Sequence, residues 1–304
     1  TLENVHGRMM RLKPGDRIAG VLGRRRGLQG YSGDTPSKIQ AGDTLNILNM
    51  GGVIGKCRSH APNVGPPFEV EVMGAVLHFP HLGQRVSEPA HVGLNTIPDA
   101  EQTETPVPII AVTGTCMNAG KTAAACQIIH GLSHSGYRVA AAKVTGVALQ
   151  RDVLNMRDYG AEDVLSFNDA GLVSTDPGTA LAAAKRIVAA LAKAGPDAIV
   201  LEFGDGLLGE YGVQEILADA DFSSWIASTV LCANDPVGTW GGVPLLQTQY
   251  GLATTVVTGP VTDNEVGRTY VENNLNVPAA NALTAPDKLV ELIKMEVFGD
   301  VKAT

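Results

Sequence analysis

From residue 107 onward, short apolar runs alternate with longer stretches whose apolar residues recur every three or four positions, the pattern of strands separated by helices. Residues 108–113 predict a strand, and 120–133 predict an amphipathic helix ending near Gly136. Residues 137–143 predict the next strand. Asp176-Pro177 predicts the start of a long helix through Lys193, with Asp at the cap, Pro in the first turn and Gly195 as the stop. An unbroken Ala-Ile-Val-Leu marks 197–202 as a buried strand; 229–233 and 254–258 predict two more, and 286–298 a closing helix. Strands alternating with helices imply parallel neighbours joined by right-handed crossovers. Ligands in such sheets collect beyond the carboxyl ends of the strands, which singles out the loops after Thr113, Lys143, Leu201, Ala233 and Thr258.

Residues 1–97 follow another rhythm. Short apolar runs at 17–22, 44–48, 68–72 and 75–79 are separated by Pro14-Gly15-Asp16, Gly30 to Gly33, Ala41-Gly42-Asp43, Gly51-Gly52 and Gly65-Pro66-Pro67. Such breakers supply fixed or positive φ and end strands, so a small β-barrel or sandwich is expected there. Residues 98–108 hold three prolines and three acidic residues with little to bury, which predicts a linker before an α/β domain over 109–304.

Composition narrows the function classes. With 304 residues, 44% hydrophobic and 18% charged, the chain has enough apolar content for two domains with a sizeable core. Its longest apolar runs are strand-sized, and Thr1 to Lys13 is polar and basic, so neither a membrane span nor a signal peptide is predicted. Four widely spaced cysteines without a CxxC pair fit free thiols in a reducing cytoplasm. Cys57-x-x-His60 and His78-x-x-His81 have spacings a metal can use, but neither has a second pair nearby. The net charge of −8 is uneven: residues 1–97 carry eleven Lys/Arg against seven Asp/Glu, the rest twelve against twenty-four. The acidic main body argues against wholesale nucleic-acid binding, and Arg24-Arg25-Arg26 is read as a solvated turn.

The strongest chemical signal follows the first strand of the α/β region: Gly114-Thr115-Cys116-Met117-Asn118-Ala119-Gly120-Lys121-Thr122. A glycine-rich loop between an apolar strand and a helix is the setting in which backbone N–H groups converge on phosphate oxygens. Thr115, Asn118, Ala119, Gly120, Lys121, Thr122 and Ala123 are therefore candidates for holding a nucleoside triphosphate, ATP or GTP. Lys121 would place its ammonium between the outer phosphates, and the Thr122 hydroxyl would ligate Mg²⁺. Five residues separate Gly114 from Gly120, where the usual loop has four.

In these residues the chain resembles dethiobiotin synthetase and its relatives among P-loop proteins, which show Gly-Thr-Asp-x-x-x-Gly-Lys-Thr with the same spacing. It is also similar to an uncharacterised bacterial family of that class whose loop begins Gly-Thr-Asp-Cys. The resemblance covers roughly 107–298, tightly in the loop and loosely elsewhere. Cys116 stands where those families place Asp, which puts that carboxylate's role in doubt here. The resemblance implies that Lys143, ending the second strand, contacts substrate and transferring phosphate. It also implies a subunit pair meeting near the substrate site, a small-molecule substrate, and ligase-type chemistry in which a carboxylate or carbamate oxygen takes the γ-phosphoryl group.

Glu202 ends an apolar strand beside the loop, where P-loop enzymes hold Mg²⁺ through a carboxylate; Asp205 is its alternate. A second metal carboxylate is expected after Lys143, with Asp152 favoured over Asp158 and Asp163 by its nearness to the strand end. Asn234 to Gly242 is read either as a substrate loop or as a structural turn. Asp263 and Asn264 follow the last strand where relatives recognise the base, although Asp263 also suits a helix N-cap. A phosphoryl-transfer enzyme is the first reading. The second is a nucleotide-hydrolysing switch whose β-rich domain grips a macromolecule; neither a Cys/His metal relay nor an Asn-Lys-x-Asp guanine motif supports it.

Overall fold

The computed structural model describes residues 1–99 and 107–299, and divides into two compact units. Most of the expected linker, residues 100–106, lies outside the described residues. The larger unit draws on the described parts of Ile97–Gly146, Asp152–Phe167 and Thr175–Thr304. The smaller one comprises Thr1–Thr96, Val147–Arg151 and Asn168–Ser174.

In the larger unit the strands are β1 (Ile109–Gly114), β2 (Val139–Thr145), β3 (Asp163–Ser166), β4 (Ala198–Phe203), β5 (Ile226–Cys232) and β6 (Val256–Thr258). The helices are α1 (Lys121–His134), α2 (Gln150–Asp158), α3 (Ala180–Ala192), α4 (Val213–Ala218), α5 (Ala220–Ser224), α6 (Pro236–Tyr250), α7 (Glu265–Leu275) and α8 (Pro286–Phe298). All six strands are parallel, in the order β3-β2-β4-β1-β5-β6, so the predicted α/β class with a parallel sheet is the one observed. Residues of β1, β4 and most of β2 and β5 are buried whichever face they point to, which explains why they read as continuous apolar runs.

Side chains alternate across the sheet. Ile110, Val112, Val139, Ala141, Ala198 and Val200 share one core with Ile128, Ile129 and Leu132 of α1 and Leu289 and Ile293 of α8. The alternate positions Ala140, Ala142, Ile199 and Leu201 are equally buried, and α3 packs against this part of the sheet with Ala184, Ile187 and Val188. Each such aliphatic side chain larger than alanine contributes about 1.5–3 kcal/mol when withdrawn from water.

Several sequence expectations are corrected. The third helix begins at Ala180 rather than Pro177, because Asp176 Oδ1 first accepts hydrogen bonds from Gly178 N and Thr179 Oγ1, both at 3.0 Å. The stretch after Asn234, read as a substrate loop or turn, is helical from Pro236 to Tyr250: Asp235 caps it by accepting from Gly238 N at 2.8 Å, and Pro236 occupies the first turn. Asn264, not Asp263, caps α7, accepting from Val266 N at 3.1 Å. The sequence pattern does not single out α2, β3, α4 or α5.

The smaller unit is β-rich, as expected. Its main sheet runs in the order Arg25–Arg26, Tyr31–Asp34, Val53–His60, Thr44–Ile47, Glu69–Glu71, with antiparallel neighbours. Val21–Leu22 adds a parallel pairing to Val53–His60. Leu45, Ile47, Leu48 and Val53 form its buried centre. Two excursions from later in the chain belong to this unit: Val147 bridges Ser174, and Glu3 accepts from the backbone N–H groups of Gln150 and Arg151 at 2.6 Å. Among the described residues no helix is long and apolar enough to cross a membrane.

Candidate functional site

β1 is the strand at which the order of connection reverses, and its carboxyl end opens into the glycine-rich loop. Thr115 N donates to Cys232 O at 2.9 Å, tying the loop to β5. Gly120, immediately before α1, has φ 91°, a conformation costing an ordinary residue about 1–2 kcal/mol. Asn118 is also left-handed, with φ 59°. The first helical hydrogen bond runs from Ala124 N to Gly120 O at 2.9 Å, so the amides of Gly120, Lys121, Thr122 and Ala123 have no helical carbonyl to serve and add to the positive end of the helix dipole. Ala119 is fully buried beneath the loop.

Lys121 folds back over the strand end, and its Nζ donates to Cys116 O at 2.8 Å. Only a glycine at 114 allows this path: a Cβ there would stand 2.9 Å from Lys121 Cδ. Burial pulls the Lys121 ammonium below its usual pKa, and the nearby Glu202 works against that shift.

Beyond the apolar stripes facing α1, the next positions on the same face are charged. Lys143 continues Val139 and Ala141, Glu202 continues Ala198 and Val200, and the two are register partners on adjacent strands. Thr122 Oγ1 donates to Glu202 Oε1 at 3.0 Å. Lys143 Nζ lies 3.9 Å from the same oxygen and makes a close ion pair with Asp152 Oδ2. Asp152 stands one turn before Met156 on α2; Met156 is wholly buried in the core beneath, so this anchor turns Asp152 toward Lys143. Side chains of Lys143, Asp152 and Glu202 are only 12%, 10% and 3% exposed. Burial raises the pKa of Glu202, opposed by Lys143.

Glu202 Oε2 is buried with no hydrogen-bond partner. A buried carboxylate oxygen left in this state is costly unless something else satisfies it. Two carboxylates and a hydroxyl are hard oxygen donors, the set that suits Mg²⁺. Among the described residues no three His, Cys, Asp or Glu side chains gather as a metal cage, which also leaves the Cys57/His60 and His78/His81 spacings unassembled. Magnesium sites of this kind take their remaining ligands from phosphate and water. The residues present therefore fit the ion.

The other predicted positions fall around this centre unequally. Asp163 begins β3 at the opposite end of the sheet, and Asp158 closes α2 at its far end. Asp205 is buried just after β4 with φ 74°, close enough to Lys121 to influence its charge. Gly206, next to it, has no room for a side chain, since a Cβ would meet Thr115 O at 2.6 Å. The Thr258 loop also abuts the phosphate loop, with Gly259 packed on Ala119 O. Asp263 Oδ1 accepts from Asn281 Nδ2 at 2.9 Å, while Asn264 is occupied in capping α7. Two further neighbours join the site, Asn234 from the segment read as a substrate loop or turn, and Asn281, which the sequence does not single out. Asn234 Nδ2 donates to Cys116 Sγ at 3.0 Å, and Asn281, almost fully buried, binds both Thr262 Oγ1 and Asp263. Asn234 carried the signal of an amide directly after a strand end; Asn281 carried none.

A parallel sheet of this order, with a glycine-rich Gly-Lys-Thr loop running from its pivotal strand into α1, decides the fold. This is the P-loop NTPase fold. No family model matches the sequence, and no curated protein matches it. Among solved structures, chloroplast FtsY from Physcomitrella patens is 12% identical, with 66% of this chain and 70% of that chain covered and a TM-score of 0.44. A DUF1611 family protein from Anabaena variabilis gives 12% identity, coverage of 66% and 63%, and a TM-score of 0.47. The signal recognition particle receptor FtsY from Elizabethkingia anophelis, solved in complex with GDP, gives 13%, 69% of each chain and 0.44.

Proposed function

We propose that the chain binds a magnesium nucleoside triphosphate on Gly114 to Thr122 and transfers its γ-phosphoryl group to a small carboxylate- or carbamate-type substrate. The observation that carries this reading is the buried quartet of Lys121, Lys143, Asp152 and Glu202, with Glu202 Oε2 unpartnered and the Thr122 hydroxyl on its other oxygen.

In this reading the free amides at the start of α1 receive the β- and γ-phosphate oxygens. Lys121 leaves Cys116 O for the outer phosphates. Thr122, Glu202 and Asp152 would hold Mg²⁺, which when bound would supply Lewis-acid stabilisation of phosphate charge. Lys143, set beside Glu202, neutralises the phosphoryl group in transit and orients the substrate anion. The substrate oxygen forms the new P–O bond as the bond between γ-phosphorus and its bridging oxygen breaks, and the nucleoside diphosphate departs with that electron pair. No covalent enzyme intermediate is needed, because positioning and electrostatics supply most of the rate in such transfers. Asp263 and Asn264 are proposed to meet the base, with Asn281 fixing the carboxylate of Asp263.

Lys143 stabilises phosphoryl transfer in either reading, so the acceptor, small molecule or water, is what separates them. Phosphate release from ATP or GTP with Mg²⁺, followed with and without a pool of small carboxylates and amines, separates the two. Release that depends on a small molecule is expected. Slow release regardless of addition, or stimulation by protein alone, would instead identify a switch.

A further inference from the structure

After the edge strand Glu69–Glu71 of the smaller unit, the chain runs out as an arm and returns. Leu77–His78 pairs antiparallel with Glu88–Pro89, Ala90 N donates to Val76 O at 2.8 Å, and Gly83, with φ 81°, turns the tip. Two residues a strand make too short a ladder to hold a hairpin in water by itself. Yet from Met73 to Asn95 every residue except the half-buried His78 is exposed. Met73, Val76, Leu77, Phe79, Leu82 and Val86 each leave at least 51% of their surface in water, and Leu82 is wholly exposed.

At about 150–200 Å² for a large apolar side chain, the exposed share of these six amounts to on the order of 500 Å². A standard interface draws about 800 Å² from each partner, roughly 57% of it apolar, or about 450 Å². The arm alone therefore presents the apolar share of one half of such an interface. Charge is graded along it as well. Glu69 and Glu71 stand at the root and Arg85 at the tip, all three exposed and none of them ion-paired among the described residues. Midway, Glu88 Oε2 lies 3.8 Å from His78 Nε2 across the hairpin. An acidic root and a basic tip repel when two arms lie parallel and match when they lie antiparallel.

We propose that this arm is the contact through which two copies of the chain pair about a two-fold axis, the tip of each lying over the root of the other. Such symmetry sets the same apolar side chains on both sides of the contact. It also brings Arg85 of each copy to Glu69 and Glu71 of the other. Leu77, Phe79 and Leu82 then form a buried apolar centre inside a charged rim, the usual anatomy of a specific interface. An unrelated partner would need its own complement to this grading, whereas a second copy already carries it. The proposal is independent of the nucleotide site.

The test is sedimentation velocity of the full chain between about 1 and about 100 μM. Wild type is expected to be dimeric throughout or to pass from monomer to dimer within that range. Phe79→Asp with Leu82→Asp raises the dimer Kd at least about a hundredfold, since each substitution occurs twice across a two-fold contact. Both side chains are exposed in the single chain, so an unchanged far-ultraviolet circular dichroism spectrum shows an intact fold. Arg85→Glu weakens pairing roughly five- to tenfold, and adding Glu69→Lys and Glu71→Lys restores it. A wild-type monomer at about 100 μM, a Kd unchanged in the Phe79→Asp/Leu82→Asp variant, or no recovery on reversing all three charges would each overturn the proposal.

Discussion

Lys143 stands between two carboxylates that a divalent cation would also seek, so its removal separates two costs. Breaking a buried ion pair by deleting one partner typically costs about 3–5 kcal/mol, because the remaining charge is stranded. With Lys143 only 12% and Asp152 10% exposed, Lys143→Met is expected to fall in that range in metal-free buffer. Added Mg²⁺ is then expected to restore part of the lost melting temperature, whereas it moves wild type less. Equal response of the two proteins in thermal melts would mean that the ion does not reach Asp152 and Glu202. The thiols give a second handle. Burial pushes Cys126 and Cys232 up to about 12, so both stay protonated at pH 8, where only the thiolate reacts. Cys57 and Cys116 are partly exposed. Thiol titration of the native protein is therefore expected to modify Cys57 and Cys116 first, with all four reacting in denaturant; Mg²⁺ plus nucleotide should slow Cys116 alone. Rapid native labelling of Cys126 or Cys232 would contradict the packing described.

The elements of the parallel sheet were legible where burial on both faces left an unbroken apolar run, as in β1 and β4. α2 was not, because its single fully buried apolar residue, Met156, gives too faint a period in a mainly polar helix. α6 was misread for a different reason: Gly238, Gly241, Gly242 and Pro244 all disfavour a helix locally. Packing overrides that preference, since a Cβ on Gly242 would meet Leu231 Cδ2 at 3.0 Å. The same competition yields a prediction at α1. Replacing a glycine inside a helix by alanine normally gains about 1 kcal/mol. At Gly131, however, a Cβ would lie 2.5 Å from Val290 Cγ2 of α8, and overpacking a core costs about 1–3 kcal/mol. Gly131→Ala is expected to lower the denaturation midpoint, with paired Gly131→Ala/Val290→Ala recovering less than wild-type stability. A raised midpoint for the single variant would show that α8 is not seated on α1 as described.

The molecule as a whole was readable as an α/β nucleotide fold preceded by a β-rich region, since glycine-lysine-threonine after a strand and breaker-separated short runs are both local signals. What the chain did not disclose is long-range. Val53–His60, the longest strand of the smaller unit, ends in Lys-Cys-Arg-Ser-His and so lacks an apolar alternation. The excursions Val147–Arg151 and Asn168–Ser174 join that unit through pairings such as Asn49 Nδ2 to Ala148 O at 3.1 Å, for which no neighbouring residue gives warning. In the site, Lys121, Thr122 and Glu202 were placed by motif and strand end, but the Lys143 to Asp152 contact depends on how α2 returns over β2. Calorimetric titration of a non-hydrolysable triphosphate into wild type and Lys121→Ala, each with and without Mg²⁺, tests the proposed nucleotide site most directly. Heat of association in wild type that strengthens with Mg²⁺ and weakens at least about a hundredfold on losing the lysine charge is expected, a change of about 2.7 kcal/mol. No heat in wild type, or the same affinity in both proteins, would contradict it.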